Sequence, residues 1–167
     1  MRNGRRIGFV AFLTVACTLA GCAAIGEDPA MDHIEAKAEI DTLFQVVQEL
    51  VGGEWERHDS GALPCTLPSG SMGTEYKLDR IGPGVPVEQQ RAVLDRVAEE
   101  WSDKGFELTT YAYPVIKGIT VTAMRYPETG YGEDGLAFEF AVASSASTFE
   151  GQTRCVPGDA DEINRLG

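Results

Sequence analysis

Long apolar runs are scarce in this chain of 167 residues. The one near its amino end, Ile7 to Ala20, has 14 residues, against the roughly 20 a helix needs to cross about 30 Å of hydrocarbon. A permanent span is therefore not expected from it. Basic residues are also few, 14 Lys and Arg against 26 Asp and Glu. A nucleic-acid partner needs a basic stripe to neutralise phosphates, and none is visible. Histidine occurs only at His33 and His58, so imidazole acid–base chemistry has to use one of those two. No C-x2-C pair, G-x-x-x-x-G-K loop or N-x-[ST] acceptor is present, which removes the usual motifs for zinc ribbons, phosphate loops and N-glycosylation.

What is there begins with Leu19-Ala20-Gly21-Cys22, behind that apolar run and a basic head of Arg2, Arg5 and Arg6. The pattern reads as a lipobox. Residues 1–21 are then a cleaved lipoprotein signal peptide, and Cys22 becomes the first residue and takes a thioether-linked diacylglycerol. Two other readings of the segment are a plain secretory signal cleaved elsewhere and an uncleaved anchor. Removing residues 1–21 takes away three of the 14 basic residues and none of the acidic ones, leaving 146 residues with a formal charge of −15. Anionic lipid repels such a domain, so the expected attachment is the lipid on Cys22, at the extracytoplasmic face of the cell membrane. Residues 22–31 form a short tether of small, acidic and proline residues, with a reach of at most about 30 Å. Residues 32–167 are one domain of common size.

The four cysteines sort by the same logic. Cys17 leaves with the signal peptide and Cys22 carries lipid, which leaves Cys65 and Cys155. Two thiols in an oxidising compartment point to one disulfide, whose closed loop of 90 residues sets an entropic ceiling of about 4 to 5 kcal/mol. A two-thiolate metal site lacks both the spacing and a neighbouring histidine. No metal or other cofactor is expected.

Periodicity supplies the elements. From Met31 to Val51, Ala36, Ile40, Leu43, Phe44, Val47, Leu50 and Val51 form one helical stripe, and Gly52-Gly53 stops it. Glu54 to His58 is a short strand, Asp59 to Gly73 is turn-rich, and Thr74 to Ile81 alternates as a half-buried strand with Tyr76 and Leu78 on one side. Pro86 suits the first position of a second helix running to Lys104, with Val87, Val93, Leu94, Val97, Ala98 and Trp101 as its stripe and Gly105 as its cap. Strands follow at Phe106 to Tyr113, Ile119 to Tyr126 and Leu136 to Ser144. Their expected inward sets are Phe106, Leu108, Thr110; Ile119, Val121, Ala123; and Phe138, Phe140, Val142. The tail from Ser145 reads as irregular. The predicted fold is α+β, a largely antiparallel sheet of four to five strands with two helices packed on one face and one disulfide.

Few segments carry chemistry. His58-Asp59-Ser60 has the residue types of a hydrolytic triad, but triad members converge from separate segments, and a surface turn is the simpler reading. Ser69-Gly70-Ser71-Met72-Gly73 departs from a nucleophile elbow at its first position and lacks the flanking strand and helix. Asp159, Asp161 and Glu162 match no EF-hand spacing, and no catalytic residue is assigned. The loop Pro127 to Gly135 holds Tyr131 among three glycines, with Tyr111, Tyr113 and Tyr126 expected nearby on the sheet's outer face. Tyrosines there make a candidate binding surface, because the ring buries area while the hydroxyl stays wet. Ordinary strand composition is the competing explanation.

The lipobox, Trp55 followed by Cys65 and glycine, the Pro86 helix ending Trp101-x-x-x-Gly105-Phe106, and Thr153-Arg154-Cys155 together resemble small actinobacterial lipoproteins of the LppA type. The resemblance implies an envelope location and a disulfide, and it brings no catalytic residues. The expected function is a non-enzymatic, membrane-anchored binding module for an envelope protein, glycan or lipid. Alternatives are a carrier with an apolar cavity between helices and sheet and, third, a hydrolase built on His58.

Overall fold

The first helix, α1 (His33–Val51), starts where Asp32 caps it. The Asp32 carboxylate accepts from the backbone N–H of Ile34 and Glu35, and the Glu35 side chain accepts from the backbone N–H of Asp32. Such a reciprocal box contributes about 1 kcal/mol. The computed structural model describes residues 31–115 and 118–166; the expected signal segment, Cys22 and the expected tether up to residue 30 lie outside them. The stripe of α1 is buried through Ala36, Ile40, Leu43, Phe44 and Val47, and Gly52 ends it with a positive φ.

Next come β1 (Glu56–Arg57), the hairpin β2 (Leu63–Thr66) and β3 (Met72–Glu75), and β4 (Lys77–Pro83). Then follow α2 (Val87–Asp103), β5 (Thr109–Ala112), β6 (Thr122–Tyr126), β7 (Ala137–Val142), β8 (Ala146–Gln152) and α3 (Ala160–Leu166). The α+β class and antiparallel sheet hold, but the counts differ from expectation. The main sheet has six strands in the order β1-β4-β8-β7-β6-β5, a second sheet pairs β2 with β3, and α3 is a third helix among the described residues.

Each difference has a local cause. The expected strand Thr74 to Ile81 breaks at Tyr76, whose backbone N–H goes to the Thr153 hydroxyl while its carbonyl accepts from Thr153 N. The chain thereby passes from the small sheet into the large one. The expected irregular tail instead supplies β8, which lies between β4 and β7. Its inward positions, Ser147, Phe149 and Gly151, include only one large apolar side chain, so alternation hides it. Gly151 is required there because a Cβ would come within 2.8 Å of Ile40. In β6 the expected inward set was one residue out of register. Thr122, Met124 and Tyr126 face the helices opposite Val142, Phe140 and Phe138, which turns Val121 and Ala123 to the other side, and Ile119 is exposed. A one-residue slip exchanges faces, and both parities of this strand contain apolar residues. Thr110 pairs with Met124 but is exposed on the edge strand.

In α2 the cap is Pro86 rather than its first residue, and Val87 is 71% exposed; Gln90, Leu94, Val97 and Trp101 make the buried stripe. Gly105 does close the helix. Its N–H reaches Ser102 O, and Phe106 N–H reaches Trp101 O, the double return bond that a left-handed residue makes available.

Both long helices cover one face of the six-stranded sheet. Trp101 sits fully buried against Phe138, Phe140 and Phe149, its indole N–H donating to Leu43 O. Phe44 meets Trp55 and Phe149 in the same layer. The Cys65–Cys155 disulfide joins β2 to the segment after β8, with Cα atoms 5.9 Å apart. Beside it, Thr74 and Val156 exchange two backbone hydrogen bonds.

Candidate binding face

The opposite face of the main sheet is covered by neither long helix, and strand register decides what it displays. Opposite residues of an antiparallel pair point the same way. Asp79 of β4 pairs with Glu150 of β8, Glu150 with Glu139 of β7, Glu139 with Arg125 of β6, and Arg125 with Thr109 of β5. At the other end His58 N–H donates to Asp79 O, which extends the row past β1. Three carboxylates thus stand side by side across neighbouring strands, an arrangement that like-charge repulsion disfavours.

Their environment makes the crowding measurable. No lysine or arginine among the described residues forms an ion pair with any of the three. Partial burial, then the charges of Glu139 and Asp79, raise the pKa of Glu150 above the ordinary carboxylate range. Glu139 accepts hydrogen bonds from the hydroxyls of both Tyr111 and Tyr113, the latter at 2.8 Å. The two tyrosines touch each other, rings edge to face at 5.1 Å and hydroxyls 3.1 Å apart. Burial and the bond to Glu139 hold the Tyr111 hydroxyl far above its usual pKa. For Tyr113 the bond with Tyr111 acts downward, but burial and Glu139 outweigh it and the net shift is upward.

A shallow depression of about 480 Å³ lies over this row, with Lys77, Arg125 and Gln152 at its margins and Tyr131 on the β6–β7 loop above it. Tyr131 is 61% exposed. Tyr111, Tyr113 and Tyr131 therefore belong to the open side. Tyr126 does not. It faces the helices, stacked on Phe138 at 5.4 Å and edge-on to Phe106 at 5.1 Å, so its place on the expected tyrosine surface is corrected. The carboxylate row was missed in sequence. Phe138-Glu139-Phe140 and Phe149-Glu150 do announce a glutamate on the polar side of each strand, but only register aligns them with Asp79.

Other candidates dissolve into structural roles. His58 lies on the open side near Glu56, with Nε2 3.6 Å from the carboxylate, whereas Asp59 turns to Arg80 and the Ser60 hydroxyl donates to Gly61 O. The three do not converge. Ser69 and Ser71 sit in the exposed turn of the β2–β3 hairpin. Asp159 accepts from the N–H groups of Asp161 and Glu162 and starts α3. No metal-holding group of three or more His, Cys, Asp or Glu side chains occurs among the described residues, and no described helix is long and apolar enough to cross a membrane.

Among the described residues these features define a two-layer α+β domain whose second sheet face neither long helix covers. No family model matches the chain. A trigger factor of Rhizorhabdus wittichii is 24% identical over 143 residues, covering 81% of this chain and 24% of that protein, so the chain spans about a quarter of its length. The crystal structure of a DUF4853 family protein from Actinomyces odontolyticus superimposes with a TM-score of 0.53 at 12% identity, over 81% of this chain and 76% of that one. That likeness concerns the fold alone.

Proposed function

We propose that this chain is an extracytoplasmic, lipid-anchored binding module of the cell envelope whose ligand surface is the open sheet face. One observation carries the reading: Tyr131 and the carboxylates of Asp79, Glu139 and Glu150 line one depression on the open face, none of the three in an ion pair among the described residues, and the hydroxyls of Tyr111 and Tyr113 donate to Glu139. Tyrosine rings supply contact area at low entropic cost, and the carboxylates favour a partner bearing positive charge, such as a basic segment of an envelope protein. The lipobox at Cys22 and the resemblance to LppA-type lipoproteins support the envelope address, and the Cys65–Cys155 bond accords with an oxidising compartment. A carrier role has less support, since Trp101, Phe44, Phe140 and Phe149 fill the layer between helices and sheet.

The test uses the intact lipoprotein, captured with its partners from solubilised envelope. Tyr131→Ala and Glu150→Gln should lose a partner that the wild type retains, with melting not lowered. Retention of the same partner by both variants, together with its loss on substitution of the exposed Val87 on α2, would move the binding surface elsewhere.

A further inference from the structure

A second concavity lies on the other side of the molecule, between the first turns of α1 and the end of α3. It encloses about 580 Å³ and is mainly apolar, lined by Ile34, Ala38, Ile163 and Leu166 together with the Lys37–Asp41 ion pair. Its floor is closed by Tyr76, whose hydroxyl lies 3.0 Å from His33 Nδ1. Ile34 is 66% and Leu166 81% exposed, although both helices are held firmly. The capping box fixes the first turn of α1, and Asn164 pins α3 by exchanging two hydrogen bonds with the backbone of Ala62. The apolar side chains are thus presented on rigid supports.

The short stretch between Cys22 and α1 bears on what covers them. The described residues begin at Met31, two positions before α1 and three before Ile34. Only residues 22–30 separate that point from Cys22, a reach of about 30 Å at full extension. We infer that the Ile34–Leu166 groove is the surface by which the anchored domain rests on the lipid bilayer, its apolar rim entering the interface. This inference depends on the lipid at Cys22. Two or three aliphatic side chains bind a bilayer weakly, but a tether this short raises their effective concentration to the millimolar range, where a weak contact is populated. Asp41 lines the groove with its charge met by Lys37 and Arg80, and the other acidic residues nearby, Asp32, Glu35, Asp161 and Glu162, are not part of its lining and disfavour anionic lipid, so the contact is hydrophobic rather than electrostatic. Resting this way leaves the open sheet face, on the far side of the sheet from α1, turned away from the membrane and free for a partner.

The experiment reconstitutes the full-length lipidated protein in phosphatidylcholine vesicles, with the photoreactive amino acid p-benzoylphenylalanine in place of Ile34, Leu166 or, on the opposite face, Tyr131. Flotation shows whether the protein is anchored, and mass analysis after illumination shows what each probe met. Docking predicts lipid adducts at positions 34 and 166 at least fivefold above position 131. Equal lipid adducts at all three positions, or adducts only to a second copy of the chain at 34 and 166, would overturn the docking while leaving the anchor intact. Wild-type protein that fails to float, or Cys22→Ala that floats equally well, would overturn the anchor and the docking that depends on it.

Discussion

Within strand β4, neighbouring residues meet opposite treatment. Arg80 points under the helices and is 1% exposed. Asp59 grips it with two hydrogen bonds and Asp41 of α1 adds a third, at 2.6 to 3.0 Å, and its guanidinium lies 4.4 Å from the Phe44 ring centre. Asp79, one position earlier, points to the open side in a row with Glu150 and Glu139, and among the described residues none of the three forms an ion pair. On the covered face a charge is retained only with its hydrogen bonds met, because low-dielectric burial makes an unmet charge costly. On the open face water tolerates a mismatch, and a surface that keeps three carboxylates abreast forgoes stability a single lysine would supply. That asymmetry is what supports the proposal of the open side as the binding surface.

The comparison can be broken by substitution, and the covered face should give the largest effects. Trp101→Ala removes the side chain that three phenylalanines enclose and should cost about 3 to 5 kcal/mol in denaturant unfolding; a loss below about 1 kcal/mol would mean the layer is not the core described. Arg80→Met should cost about 2 to 4 kcal/mol, less than for a fully dry pair because Asp41 and Asp59 keep some water. It should also change the acid limb of the stability profile. Although burial acts upward on Asp41, its bonds to Lys37 and Arg80 bring its pKa below the usual value. The stability it contributes is therefore present above pH 4 and lost as pH falls below that, and the variant should lose less there.

The open face should answer with the other sign. Glu150→Gln relieves repulsion from Glu139 and Asp79, so a gain of up to about 1 kcal/mol is expected at pH 7. Because the native pKa of Glu150 is raised, the folded protein takes up this proton before the unfolded chain does. Wild-type stability recovers as pH falls toward the ordinary carboxylate range, and the gain of the variant should vanish there. A destabilised Glu150→Gln at neutral pH would contradict the account of this face. Smallest of all, Tyr131→Ala should shift unfolding by no more than about 0.5 kcal/mol while weakening capture of a partner.

Legibility in the sequence divided along the same line. Both long helices, their stopping glycines and the apolar stripe of α1 could be read directly, because a 3.6-residue period and a glycine with positive φ are local properties. The pairing of Cys65 with Cys155 followed from counting thiols. Strand β8 could not be read, since Ser147 and Gly151 occupy its inward positions, and neither could the split at Tyr76, which depends on Thr153 far along the chain. The tyrosines were identified as a group, but Tyr126 went to the wrong side because the register of β6 is set by Phe138 and Phe140 across the ladder.

Composition and short-range pattern were enough for the acidic character, the two long helices and the disulfide partners, since each rests on residue identity or on neighbours within a few positions. Strand order, the buried Arg80 with its two aspartates, the carboxylate row and the apolar groove at Ile34 arose only on folding. They join residues tens of positions apart, and which of them meet is settled by pairing register and by how the helices seat on the sheet.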